Sequence, residues 1–90
     1  YGSAIQLTRG KTFTVTSNTI SNVDVNALHI YNGCAADSII INDNTITAAY
    51  LCWNEANYTN VASSGNTVSV TNENQCMTKT GAESSSFTLN

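Results

Sequence analysis

The sequence predicts an all-β fold built from a repeated unit, and three observations lead to that prediction. Apolar and polar residues alternate with a period of two in several short segments, such as 12–16 and 67–71. Asn-rich clusters separate these segments, and Asn tolerates the left-handed backbone that tight turns require. Similar short motifs recur along the chain. We therefore expect residues 1–90 to form one all-β repeat domain.

The individual strands follow from this alternation. The segment 48–56 is the only candidate for a helix, and its Tyr, Cys, Trp and Asn residues favour strand or turn instead. The predicted strands are 12–16, 27–30, 38–41, 67–71 and 86–89.

Two motifs recur in a fixed order. A polar-Asn-Thr-apolar motif occurs at 17–20, 43–46 and 65–68, with steps of 26 and 22 residues. An apolar block occurs at 4–7, 27–30 and 50–53, with steps of 23 residues, and a degenerate copy lies at 75–77. Repeats of this length indicate that each unit stacks on the next one.

This arrangement resembles the parallel β-helix repeat of pectin-lyase-like and NosD-type proteins. The resemblance implies a short β-solenoid of about 3.5 rungs, in which Asn18, Asn44 and Asn66 stack as a ladder that satisfies buried backbone groups. A compact antiparallel β-sandwich or small barrel, made from duplicated hairpins, would produce the same repeats and is the alternative fold.

The composition excludes several functions. Only 10% of the residues are charged and the net charge is −3, so we expect no nucleic-acid partner. No apolar run is long enough to span a bilayer, so we expect no membrane partner. Polarity comes from 13 Asn, 13 Thr and 10 Ser residues. This composition, the scarcity of Lys and the glycosylation sequon at 57–59 predict a secreted protein whose signal peptide has been removed.

The three cysteines allow more than one interpretation. Cys34, Cys52 and Cys76 permit three different single bridges, each leaving one thiol over, or three buried thiols. An unpaired cysteine in a secreted chain predicts an intermolecular disulfide and hence a homodimer. None of the cysteines has the spacing of a metal or redox site, and we expect no cofactor.

Catalysis finds little support in the sequence. His29 is the only histidine and has no nucleophile motif around it. No pair of the six carboxylates is singled out by its spacing, so we expect no enzyme activity. The Thr-x-Thr pairs in 12–16, 45–47 and 78–80 are similar to arrays in β-helical antifreeze proteins. Their 33-residue spacing does not match the repeat, and ordinary strand filling explains them.

Carbohydrate binding suits the residues best. Sugars are recognised by an aromatic face surrounded by amide, hydroxyl and carboxylate groups, and this requires no shifted pKa. The 23-residue step places Trp53 over Ile30, so that an aromatic residue and several polar ones gather at one edge. The predicted carbohydrate-binding residues are Arg9, His29, Tyr31, Asn32, Trp53, Asn54 and Glu55. We expect a non-catalytic lectin or binding module that forms homo-oligomers, because avidity strengthens weak single contacts.

Two alternatives stay open. Trp53 shares its strand parity with Leu51, which favours a core position for the indole. The chain would then be a structural or adhesive β-solenoid segment of a larger extracellular protein or polysaccharide lyase.

Overall fold

The computed structural model describes residues 3–31, 34–55, 60–77 and 89–90, and for 22–24 and 72–77 it describes the backbone alone. All regular structure in these ranges is β-strand, as the sequence predicts. The strands are β1 (Ser3–Leu7), β2 (Thr12–Thr16), β3 (Thr19–Ile30), β4 (Ser38–Asn42), β5 (Thr45–Asn54), β6 (Val61–Ser64) and β7 (Thr67–Met77). Four of the predicted strands are confirmed, whereas 86–88 lie outside the described residues.

The strands form two sheets, and the chain alternates between them. The larger sheet has the order β1-β3-β5-β7 and the smaller one has the order β2-β4-β6. Every pairing between the described strands is parallel. The antiparallel alternative is therefore wrong. A hairpin would pair consecutive strands, but here each turn sends the chain to the other sheet. We call residues 12–30, 38–54 and 61–77 repeats 1, 2 and 3.

Each repeat contributes apolar side chains to one interior. The fully buried residues include Ile39 and Ile41 of the smaller sheet, and Leu28, Ile46 and Leu51 of the larger one. In β4 and in the first half of β5, burial alternates residue by residue, as expected of strands with one inward face. The core is thus the direct product of the period-two pattern in the sequence.

An asparagine ladder joins the repeats at their corners. The Oδ1 atom of Asn44 accepts hydrogen bonds from the backbone N–H (2.9 Å) and the side-chain amide (3.1 Å) of Asn18. The Oδ1 atom of Asn66 accepts the same pair from Asn44, at 3.0 and 2.9 Å. Asn44 is only 1% exposed and also donates to the carbonyl of Val15 at 2.9 Å. The three residues expected to form a ladder do so.

The corner residue that precedes each ladder asparagine has a left-handed backbone. Its φ is 56° at Ser17, 60° at Asp43 and 70° at Gly65. A left-handed residue turns the chain sharply, and the side chains of the first two are exposed, where their strain is tolerated. The sequence motif thus specifies both the turn and the hydrogen bonds that lock it.

The larger sheet is irregular midway along its strands. The register between β3 and β5 shifts between Ile20 and Asn26, and that between β5 and β7 shifts between Ala48 and Cys52. Leu51 and Cys52 are consequently both buried, although they are neighbours. This change of phase decides which residues of the following segment face outward.

Candidate functional site

Four side chains gather where β3 and β5 end, and we call His29, Tyr31, Trp53 and Glu55 the aromatic cluster. The rings of His29 and Trp53 are stacked, with centroids 4.5 Å apart and planes inclined by 6°. The Tyr31 ring stands edge-on to His29, at 6.2 Å and 71°. The cluster therefore combines three rings and one carboxylate.

The stack follows from the strand register. His29 of β3 is the register partner of Trp53 of β5, and neighbouring strands lie about 4.8 Å apart. Two flat side chains on paired positions can therefore stack with almost no adjustment. The predicted partner was Ile30, which is wrong by one residue, since Ile30 pairs with Asn54. The register irregularity upstream converts the 23-residue step into a 24-residue one.

This one-residue correction also settles the position of Trp53. The parity shared with Leu51 does not hold as an indicator, because the phase of burial changes where Leu51 and Cys52 are both buried. Trp53 is half-buried and lies outside the buried core. Its partner His29 is half-buried as well. The indole therefore belongs to the surface of the molecule.

A hydrogen bond holds the carboxylate against the stack. His29 Nε2 and Glu55 Oε1 are 2.8 Å apart, and their side chains are 13% and 14% exposed. The backbone N–H of Glu55 donates to the carbonyl of Ile30 at 2.9 Å, which ties the end of repeat 2 to repeat 1. The imidazole is therefore held both by its stack and by its hydrogen bond, and Glu55 is fixed at the rim of the cluster.

The cluster offers a ligand one open aromatic surface. Tyr31 is 36% exposed, and its backbone N–H donates to the carbonyl of Leu7 at 2.9 Å. That bond anchors the residue although it follows the last residue of β3. A ligand can therefore reach the phenol ring, the rim of the stack and the carboxylate from the same side of the cluster.

The other predicted ligands lie elsewhere. Arg9 is exposed between β1 and β2, and the structure gives it no hydrogen bond or ion pair with the residues it describes. Asn54 is fully buried, so we leave it out of the proposed contact surface. Asn32 lies outside the described residues. Tyr50, which is 41% exposed, is a surface aromatic residue that sequence reasoning did not select.

Two further features bear on chemistry. A cleft of about 360 Å³ lies beside β1 and β3, lined by Ala4, Ile5 and residues 18–21, and it includes no member of the aromatic cluster. Within the described ranges, no three His, Cys, Asp or Glu side chains are grouped so that they could hold a metal ion. The described residues also include no helix that is long and apolar enough to cross a membrane.

Comparison with known proteins gives no match: neither a family model, nor a curated protein, nor a solved structure is similar to the chain. The argument for function therefore rests on the fold and on the aromatic cluster.

Proposed function

We propose that the protein is a non-catalytic carbohydrate-binding protein whose site is the aromatic cluster. The observation that carries the proposal is the outward-facing stack of His29 and Trp53, with Tyr31 at its edge and Glu55 hydrogen-bonded to the imidazole. Pyranose rings have an apolar face and a rim of hydroxyl groups. A surface that combines aromatic carbon with a fixed carboxylate matches both features.

Each member of the cluster has a role in this proposal. Tyr31 is the most exposed of the three rings and supplies the platform for the apolar face of the sugar. One carboxylate oxygen of Glu55 is engaged by His29, and the second can accept hydrogen bonds from sugar hydroxyls. The stack with Trp53 keeps the imidazole in place, so that little ordering entropy is lost when a ligand binds.

We further propose that the two parallel sheets form a short β-solenoid. The supporting observations are the alternation of strands between the sheets and the ladder through Asn18, Asn44 and Asn66. These observations equally favour the second candidate function, a structural or adhesive segment that binds no sugar. The sugar-binding assay below separates the two.

The same proposal includes a secreted location and a homo-oligomer. Few charges and many hydroxyl and amide side chains suit an extracellular protein, and oligomers strengthen weak sugar contacts through avidity. Cys34 is a buried free thiol, which disfavours it as the bridge between subunits. An internal disulfide would instead join Cys52 and Cys76, which are register partners on β5 and β7.

A glycan array with the full chain tests the proposal, followed by titration of any hit with two variants. Tyr31→Ala removes the proposed platform. Tyr50→Ala is the matched control, because it removes an equally exposed tyrosine that is not part of the cluster. We expect selective binding that Tyr31→Ala weakens at least about tenfold, equivalent to about 1.4 kcal/mol, and that Tyr50→Ala leaves unchanged.

Two results would contradict the proposal. A blank array across neutral and acidic glycans would leave the structural segment as the better interpretation. Binding that both tyrosine variants weaken equally would place the sugar elsewhere.

A further inference from the structure

A second surface carries an ordered array of hydroxyl groups. Thr19, Thr45 and Thr67 are register partners on β3, β5 and β7, so they form one column across three strands. Two residues further along, Thr47 and Ser69 are again register partners, and Ser21 holds the corresponding position on β3. All six side chains are exposed. We call these six residues the hydroxyl array.

The dimensions of the array follow from sheet geometry. Neighbouring columns of the array lie about 6.6 Å apart along a strand, and neighbouring members of a column lie about 4.8 Å apart between strands. The hydroxyls therefore occupy a rectangular grid. The sequence motif already contained this grid, because a threonine follows each ladder asparagine at Asn18, Asn44 and Asn66.

The hydroxyl array is held rigidly from two sides. The ladder immediately precedes each member of the first column, and the backbone N–H groups of Thr45 and Thr67 donate to the carbonyls of Asn18 and Asn44, at 2.9 and 2.8 Å. Beneath the array, Ile20 and Ile46 are buried in the core. Threonine is also stiff at χ1, so fixing the backbone restricts the positions that its hydroxyl can take.

The chemistry of the hydroxyl array resembles that of water itself. Each hydroxyl group has one donor and two acceptor sites, so it can replace a water molecule within a hydrogen-bonded lattice. The array contains no charged residue, which would bind its own hydration shell, and no aromatic residue, which a sugar surface would favour. Its grid spacing is in the range of the oxygen–oxygen repeats on a crystalline ice surface.

We propose that the hydroxyl array is an ice-binding face. Water held between the two columns takes up the spacing of the hydroxyls and joins the lattice of an ice crystal, which attaches the protein to it. This face is distinct from the aromatic cluster, so the proposal stands or falls independently of carbohydrate binding.

Partition into a slowly growing ice sphere tests the proposal, with thermal hysteresis measured in parallel. The probe is ice in dilute buffer, and the protein is the full chain. Thr45→Lys places a long charged side chain at the centre of the first column. Thr14→Lys is the matched control, since Thr14 is an exposed threonine within the Thr-x-Thr row of β2 and its register partner on β4 is Ile40.

We expect the wild type and Thr14→Lys to enter the ice and to separate its melting and freezing points, and Thr45→Lys to stay in the liquid. Circular dichroism spectra that match the wild type show that both variants are folded. Exclusion of the wild type from ice would overturn the proposal, as would equal behaviour of the two variants. Binding of the wild type to crystalline chitin or cellulose, lost in Thr45→Lys and without ice binding, would also overturn it.

Discussion

His29 and Trp53 stack face to face across neighbouring parallel strands, with ring centroids 4.5 Å apart. Their contact exists because the two residues are register partners. A slip of one residue would place Ile30 opposite Trp53 instead, and Ile30 points into the core. The position of the aromatic cluster thus depends on the register irregularity in the middle of the larger sheet.

Removing the imidazole should expose the indole of Trp53. In His29→Ala the stack is lost, and the emission of Trp53, the single tryptophan, should shift to longer wavelength. Gln6→Ala is the control, because Gln6 is an exposed register partner of His29 on β1. An unchanged spectrum in His29→Ala would show that the stack does not form in solution.

The asparagine ladder should be most sensitive at its middle member. Asn44→Ala removes hydrogen bonds to both neighbouring repeats and leaves buried partners unsatisfied, so the free energy of unfolding should fall by about 3 kcal/mol. Asn18 is exposed, so Asn18→Ala should cost only about 1 kcal/mol. Urea denaturation measures both values, and a larger loss in Asn18→Ala would contradict the ladder as described.

Two adjacent isoleucines of β4 should differ in their contribution to stability. Ile41 is fully buried, so Ile41→Ala should lower the free energy of unfolding by about 2–5 kcal/mol. Ile40 is half-buried and faces the other way, so the loss in Ile40→Ala should be clearly smaller. Equal losses in thermal or urea denaturation would be incompatible with the inward and outward faces of this strand.

The corner at Gly65 should resist substitution. Its φ is 70°, and an added Cβ would meet the side-chain carboxylate of Asp43. Gly65→Ala should therefore destabilise the protein by about 1–2 kcal/mol, which is the ordinary cost of a left-handed backbone for a residue with a Cβ. Gly10→Ala is the control, because its added methyl group would contact only the Phe13 side chain. Equal melting temperatures for the two variants would argue against the left-handed corner.

Much of the fold was predictable because the repeat is written in side chains with local roles. The motif around Asn18, Asn44 and Asn66 specifies a turn and a hydrogen bond, and both are found. Whether the strands pair parallel or antiparallel is decided by nonlocal contacts, so the sequence motifs left both possibilities open.

The candidate site was less predictable, for a physical reason. His29, Tyr31, Trp53 and Glu55 were all chosen from the sequence, but the partner of Trp53 was assigned one residue too far along. Constant spacing was assumed, whereas the irregularity between Val23 and Asn26 adds one residue to the step. The hydroxyl array was missed because its Thr and Ser residues were compared by motif identity rather than by position after the ladder.

The central claim is that a sugar binds at the aromatic cluster, and titration of Trp53 fluorescence with an oligosaccharide from the array tests it most directly. Because the chain has a single tryptophan, any change in emission reports on this site. We expect a saturable change whose midpoint agrees with the calorimetric dissociation constant, and its loss in Tyr31→Ala. Calorimetric binding that leaves the emission of Trp53 unchanged would contradict the account.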